Sequence, residues 1–218
     1  IVKDAAGFYT LRVLRTFVLE ALQLLQEGQT AAYIRNAALL GGMKKGPFAI
    51  ADEQSLRLFL DLEQTRADEL GADYDYPQGL AVLKTMVVEH RRLGKQAKAG
   101  FYDYEQLEMS FWAELPQIFP HSDTVLPAQD VTDRLIFVQV LQAARCLEEG
   151  VIQSPAEANL GSIYGWGFPD FKGGVLQFVN DYGFDEFVTR CQYLAEQYGS
   201  RFLPSDMLLT MQRQQLNF

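Results

Sequence analysis

Two cysteines and two histidines are all that 218 residues carry. Cys146 and Cys191 stand alone inside apolar helical patterns, with no Cys or His near either at metal-ligand spacing. That excludes a zinc-type or disulfide framework and leaves two buried thiols in a reducing compartment. His90 follows Glu89 at the end of a helical pattern, where a cation complements the helix dipole. His121 lies in a proline-flanked connector, and neither histidine has a sequence partner that would make it a catalytic base. No apolar run approaches the ~18 residues of a membrane span, and no secretory leader opens the chain. Positive charge is scarce: 19 Lys and Arg face 28 Asp and Glu, a net charge of −9. Nucleic acid is thereby disfavoured, because phosphate-backbone binding needs a basic face. Absent too are GxGxxG, GxSxG, HExxH and the Walker A pattern, so the residues alone show no complete catalytic set and no metal site. An initiator Met is also missing; the opening IVKDAAGFYTLR reads as a piece of a longer polypeptide.

What the chain does have is apolar content of 48%, enough to build a core, so disorder is excluded. The stretch RLIFVQVLQAARCLEEG, residues 134–150, places Leu135, Val138, Leu141, Ala144 and Leu147 at three-residue steps, with Cys146 beside the seam. That spacing predicts a buried amphipathic helix closed by Gly150. A second copy, RVLRTFVLEALQLLQEG, occupies 12–28, and in both Arg precedes Gly by 16 residues. Repetition of one helical unit is the simplest account. The expected division is a first repeat at 1–104, a connector at 105–129 and a second repeat at 130–218.

Further helices are expected from Thr30 to Leu40, from Ala49 through Leu62, from Gln78 to Arg92, at 130–149, from Ser154 to about Gly161, at 175–182, at 184–198 and around Met207–Met211. Ser154-Pro155-Ala156-Glu157 is a full helix start, with Ser as cap, Pro in the first turn and Glu positioned to bond back. Residues 66–79 read as an acidic, turn-rich connector, and FYDY at 101–104 as a short extended segment. With no alternating strand of useful length, the fold class is all-α.

Three groups of residues are candidates for binding. Gly46-Pro47-Phe48 and Gly173-Gly174 let backbone approach either a ligand or another helix. Lys95 and Lys98 flank a small-residue loop that would hold a phosphate or simply be a solvated turn. The acidic residues 61, 63, 68, 69, 73 and 75 show no metal spacing and are expected to form a solvated face.

These stretches resemble the C-terminal helical part of 3-hydroxyacyl-CoA dehydrogenases, above all the duplicated form in the α subunit of multifunctional fatty-acid β-oxidation enzymes. The likeness rests on Val2-Lys3-Asp4, Gly7-Phe8-Tyr9 and Arg12; Gly46-Pro47-Phe48 with Asp52-Glu53; Leu93-Gly94-Lys95 and Gly100 to Tyr104. In the second half it rests on Ala144 to Gly150, Pro155 to Ala158, Gly165, Gly167-Phe168-Pro169, Gly173-Gly174 and Tyr198 to Phe202 with Pro204. The resemblance implies a fold like the 6-phosphogluconate dehydrogenase C-terminal domain. It also implies an upstream Rossmann domain that binds NAD and carries the His–Glu pair, with an enoyl-CoA hydratase domain before it. This part would close over acyl-CoA through Phe8, Thr10, Leu11 and Gly46, Pro47 and Phe48, with Lys95 and Lys98 as phosphate contacts. It would be inactive alone, and the parent cytoplasmic and self-associating, with a thiolase subunit as a further partner. Two positions depart from the family. Leu11 stands where GF-x-x-N-R places Asn, and Gly42 to Gly46 replaces a GFP-x-G loop. The rival reading, which Leu11 favours, is a non-catalytic helical scaffold or partner-binding module.

Overall fold

The computed structural model describes residues 8–74, 77, 79–104 and 109–218. Val2, Lys3, Asp4 and Gly7 of the opening motif, Asp75, Tyr76 and the expected helix start Gln78, and 105–108 of the connector lie outside them. The described residues form an all-α protein. Its helices are α1 (Thr10–Gln26), α2 (Ala31–Leu40), α3 (Pro47–Gln54), α4 (Leu56–Leu70), α5 (Leu80–Lys84) and α6 (Leu115–Ile118). They continue as α7 (Ala128–Glu148), α8 (Pro155–Trp166), α9 (Gln177–Tyr182), α10 (Phe184–Tyr198) and α11 (Asp206–Arg213). The only described sheet is a two-residue antiparallel pair, β1 (Tyr102–Asp103) with β2 (Ser110–Phe111). The chain divides into two compact units, one of Ile1–Phe17, Gly41–Lys44 and Thr132–Phe218, the other of Val18–Leu40 and Lys45–Val131.

In the first unit α7 is the centre. The sequence predicts an apolar stripe, yet residues 133–144 are buried without interruption, Asp133, Arg134, Gln139 and Gln142 included. A helix enclosed on every side must satisfy its polar groups internally. Arg134 lies over the Tyr198 ring at 4.5 Å, Arg190 Nε donates to Asp133 at 2.7 Å, and Trp166 Nε1 donates to Gln139 at 2.8 Å. Around Phe137 gather Phe187 and Phe178, at centroid distances of 4.5 and 6.0 Å. The predicted start of α8 is present: Ser154 accepts from Glu157 N, and Glu157 accepts from Gln153 N at 2.8 Å.

The end of α8 differs from expectation. It runs past Gly161 to Trp166. A Cβ on Gly161 would lie 2.8 Å from the Tyr9 ring, and one on Gly165 2.7 Å from Thr10. These glycines, one turn apart, let α8 press against the start of α1; they mark a close crossing and not a terminus.

In the second unit the expected helix over 49–62 is two, broken at Ser55, whose φ of 84° no helix accommodates. α4 continues through part of the expected turn-rich stretch to Leu70. Its Glu63 is not on a solvated face but buried, accepting a short hydrogen bond from Tyr74 Oη. The helix expected to reach Arg92 passes at Thr85 into a π-helical turn ending at Glu89. The 122–126 stretch is strapped to the α1–α2 corner: Gln29 donates to Thr124 O at 3.0 Å and accepts from Leu126 N at 3.1 Å.

α1 and α7, the two copies seen in the sequence, end alike. Gly28 N bonds Leu25 O and Gln29 N bonds Leu24 O; Gly150 N bonds Leu147 O and Val151 N bonds Cys146 O. Both glycines have positive φ, 86° and 68°, the conformation this cap requires.

Candidate functional site

The sequence candidates fall in different units. Phe8, Thr10 and Leu11 belong to the first, and Gly46, Pro47, Phe48, Lys95 and Lys98 to the second. At the start of α1, Tyr9 is the anchor: its ring is buried, packs edge-on against Trp166 at 5.5 Å, and its hydroxyl donates to Ala158 O at 3.0 Å. With Tyr9 held inward, Phe8 is turned out, 55% exposed with φ of 48°. Thr10 and Leu11 follow it half-buried on the first turn. One turn on, Arg12 meets Glu149 through two contacts of 2.7 Å.

Gly46 and Pro47 start α3, Pro taking the first helical position where its missing N–H costs nothing. Phe48 is fully buried, against Phe101 at 4.8 Å and Phe111 at 6.1 Å. Gly46 and Pro47 are buried with it, so the exposed residues of this loop are Lys44 and Lys45. Lys45 Nζ and Lys95 Nζ converge on Glu53, at 2.6 and 3.6 Å, so the structure brings the Gly46 loop and the Lys95 loop together around one carboxylate. Lys98, in the left-handed region with φ of 57°, closes that second loop.

Beneath these loops lies a group that spacing alone did not single out. Asp52 is 1% exposed and accepts from Phe101 N at 2.9 Å, Tyr102 N at 3.0 Å and Tyr104 Oη at 2.9 Å. Gly100 sits so close that any Cβ there would overlap the Asp52 carboxylate. Burial pushes Asp52 up to about 6, against the opposing pull of those three donors and of Arg92. Arg92 completes the frame, donating to Gly100 O at 2.6 Å, Tyr102 O at 3.1 Å and the Asp103 carboxylate. It also stacks over Trp112 at 4.4 Å. The signal for Asp52 was available: an acid inside an apolar helix face, matched by an extended aromatic segment bounded by glycine. All three carboxylate bonds are committed, so this is a clamp that shapes the loop and no free acid or base. His90, edge-on to Trp112 at 5.0 Å, is likewise part of the packing. Among the described residues no group of three His, Cys, Asp or Glu is placed to hold a metal ion.

Known proteins resemble the chain along most of its length. Residues 7–104 match the family model of the 3-hydroxyacyl-CoA dehydrogenase C-terminal domain. The chain is 33% identical over 214 residues to the fatty acid oxidation complex subunit alpha of Vibrio vulnificus (strain CMCP6), an alignment covering 96% of this chain. The chain spans 29% of that relative's length. Two solved structures share the fold. One is a 3-hydroxybutyryl-CoA dehydrogenase from Escherichia coli K12, with TM-score 0.73, 16% identity, and coverage of 96% of this chain and 60% of that one. The other is the dehydrogenase part of multifunctional enzyme 1 from C. elegans, with TM-score 0.69, 24% identity, and coverage of 95% and 48%.

Proposed function

Residues 7–104 belong to the 3-hydroxyacyl-CoA dehydrogenase C-terminal domain family, and on that premise we propose that the chain is the helical substrate-binding and dimerisation region of an NAD-dependent 3-hydroxyacyl-CoA dehydrogenase of fatty-acid β-oxidation. One observation carries the reading: the alignment to a fatty acid oxidation complex α subunit runs through 96% of the chain and not only through the residues 7–104 that match the family model. The parent would convert 3-hydroxyacyl-CoA to 3-ketoacyl-CoA in the cytoplasm. It would do so with its Rossmann and hydratase domains upstream, as a self-associating subunit beside a thiolase. NAD would be held by that upstream Rossmann domain. The duplication, 1–104 and 130–218 joined by 105–129, belongs to the same proposal, and the matching ends of α1 and α7 support it.

In this reading the exposed Phe8 just before α1, with the half-buried Thr10 and Leu11 on its first turn, forms a wall against the acyl-CoA. Gly46, Pro47 and Phe48, which are buried, shape that wall from behind, and Lys95 and Lys98 approach a phosphate. Hydride transfer occurs on the upstream domain, so the chain alone should not reduce acetoacetyl-CoA with NADH. Turnover above background would overturn that division of labour. Leu11 keeps the scaffold reading in play, because an alkyl side chain cannot donate the amide hydrogen bond of the family's Asn. If Leu11→Asn in the parent changes kcat/KM for 3-hydroxyacyl-CoA, the position faces substrate; if not, the scaffold reading gains.

A further inference from the structure

We propose that residues 84–98 form a peripheral docking surface for an anionic phospholipid bilayer. In a chain of net charge −9, this stretch holds five cations, Lys84, Arg91, Arg92, Lys95 and Lys98, against one acid, Glu89. The structure sorts them. Arg92 turns inward to Gly100, Tyr102 and Asp103, whereas Lys84, Arg91, Lys95 and Lys98 are exposed. Among these cations stand two apolar side chains turned to solvent, Val88 at 65% and Leu93 at 38% exposure. The backbone that presents them is irregular and fixed. It passes through the π-helical turn Thr85–Glu89, then through Arg91 and Lys98, two non-glycine residues with positive φ of 56° and 57°. Arg92 N to Met86 O at 2.8 Å and Gly94 N to Ala99 O at 2.7 Å hold it in that shape. Such conformations persist where the surroundings enforce them, and they gather at functional segments.

Exposed cations alone would suit any polyanion. Exposed Val and Leu between them gain nothing from a soluble polyanion, but an interface of lipid headgroups and acyl chains takes both. No helix among the described residues is long and apolar enough to cross a membrane, so docking would be at the surface. Each cation near an anionic leaflet raises partition about fivefold. Four of them, offset by Glu89 and by Glu53, which Lys95 meets at 3.6 Å, favour an anionic over a neutral bilayer by about twentyfold. This surface overlaps the phosphate contact proposed above for Lys95 and Lys98, and the test separates the two.

The 218-residue chain is cosedimented with phosphatidylcholine vesicles, with and without phosphatidylglycerol. We expect partition onto the phosphatidylglycerol vesicles only, lost near 1 M salt, where the Debye length falls to about 3 Å. The double variant Lys95→Glu/Lys98→Glu should lower partition more than about tenfold, and Val88→Ser by up to about tenfold. Arg213→Glu, a charge change at the end of α11, should leave it unchanged. Thermal melts like the parent's establish that the variants fold. Equal partition onto both vesicle types, no partition at all, or a double variant that binds like the parent overturns the proposal. Release by free CoA at constant ionic strength assigns the cations to a soluble phosphate ligand, and preference for polyglutamate over vesicles assigns them to an acidic protein; either result also overturns it.

Discussion

Replacing Asp52 with Asn separates two opposing effects at the clamp. Asn can turn only one acceptor toward three donors, so at least one of Phe101 N, Tyr102 N and Tyr104 Oη loses its partner. A buried donor left without a partner costs about 1–3 kcal/mol. Against that, the wild-type carboxyl, at 1% exposure, is raised from 3.8 to about 6 by burial. Folding therefore penalises its ionised form, relative to the protonated one, by about 3 kcal/mol more than the unfolded chain does. The two terms are comparable, so at pH 7 the variant should lie within about 2 kcal/mol of the parent. The pH dependence is the sharper readout. Because the folded pKa is raised, the contribution of Asp52 is fully present below about 4 and is lost as pH rises through about 6. Asn does not titrate. Denaturant unfolding at pH 4 and pH 7 should show the parent gaining about 2 kcal/mol over the variant at the lower pH. A gap that stays constant, or shrinks on acidification, would mean that the hydrogen bonds and Arg92 outweigh burial, and the reasoning fails.

Gly161→Ala sets helix propensity against packing. Propensity favours Ala by about 1 kcal/mol, but its Cβ would meet the Tyr9 ring at 2.8 Å, and the net result should be a loss of about 1–2 kcal/mol in chemical denaturation; a gain in stability would refute the close crossing. Tyr74→Phe leaves the buried Glu63 carboxylate one donor short and should cost about 1–3 kcal/mol by the same measurement. Arg12→Ala removes the paired contacts to Glu149; with Glu149 half exposed the cost should be only about 1 kcal/mol, and most of it should vanish at high salt. Cys146 and Cys191 are buried, and burial pushes both thiols up, so a thiol reagent should label neither until the chain unfolds.

Periodicity alone placed α1, α2, α7 and α10 within a few residues, since an apolar side chain every third or fourth position has few other ways to be buried. The Ser154-Pro155-Glu157 start of α8 was equally legible, because a cap is a local bond. The lack of any alternating strand among helical patterns pointed to the all-α class, and the acidic charge balance disfavoured nucleic acid. The motif around GFYDY carried the resemblance to the family whose model residues 7–104 match, although its spacing did not say why Asp52 and Gly100 travel together. That reason is spatial: 48 residues apart in sequence, the Asp52 carboxylate and Gly100 share one space in the folded chain.

Glycine has no fixed meaning in a sequence. At Gly150 it ends a helix, while at Gly161 and Gly165 it sits mid-helix against Tyr9 and Thr10, and only the neighbours distinguish the two cases. Glu63 reads as surface beside Asp61 and Asp68 until Tyr74 covers it, and Arg134 reads as polar until Tyr198 does. Local bonds and periodic burial are written along the chain; desolvation depends on what arrives from elsewhere, and only the tertiary structure decides it.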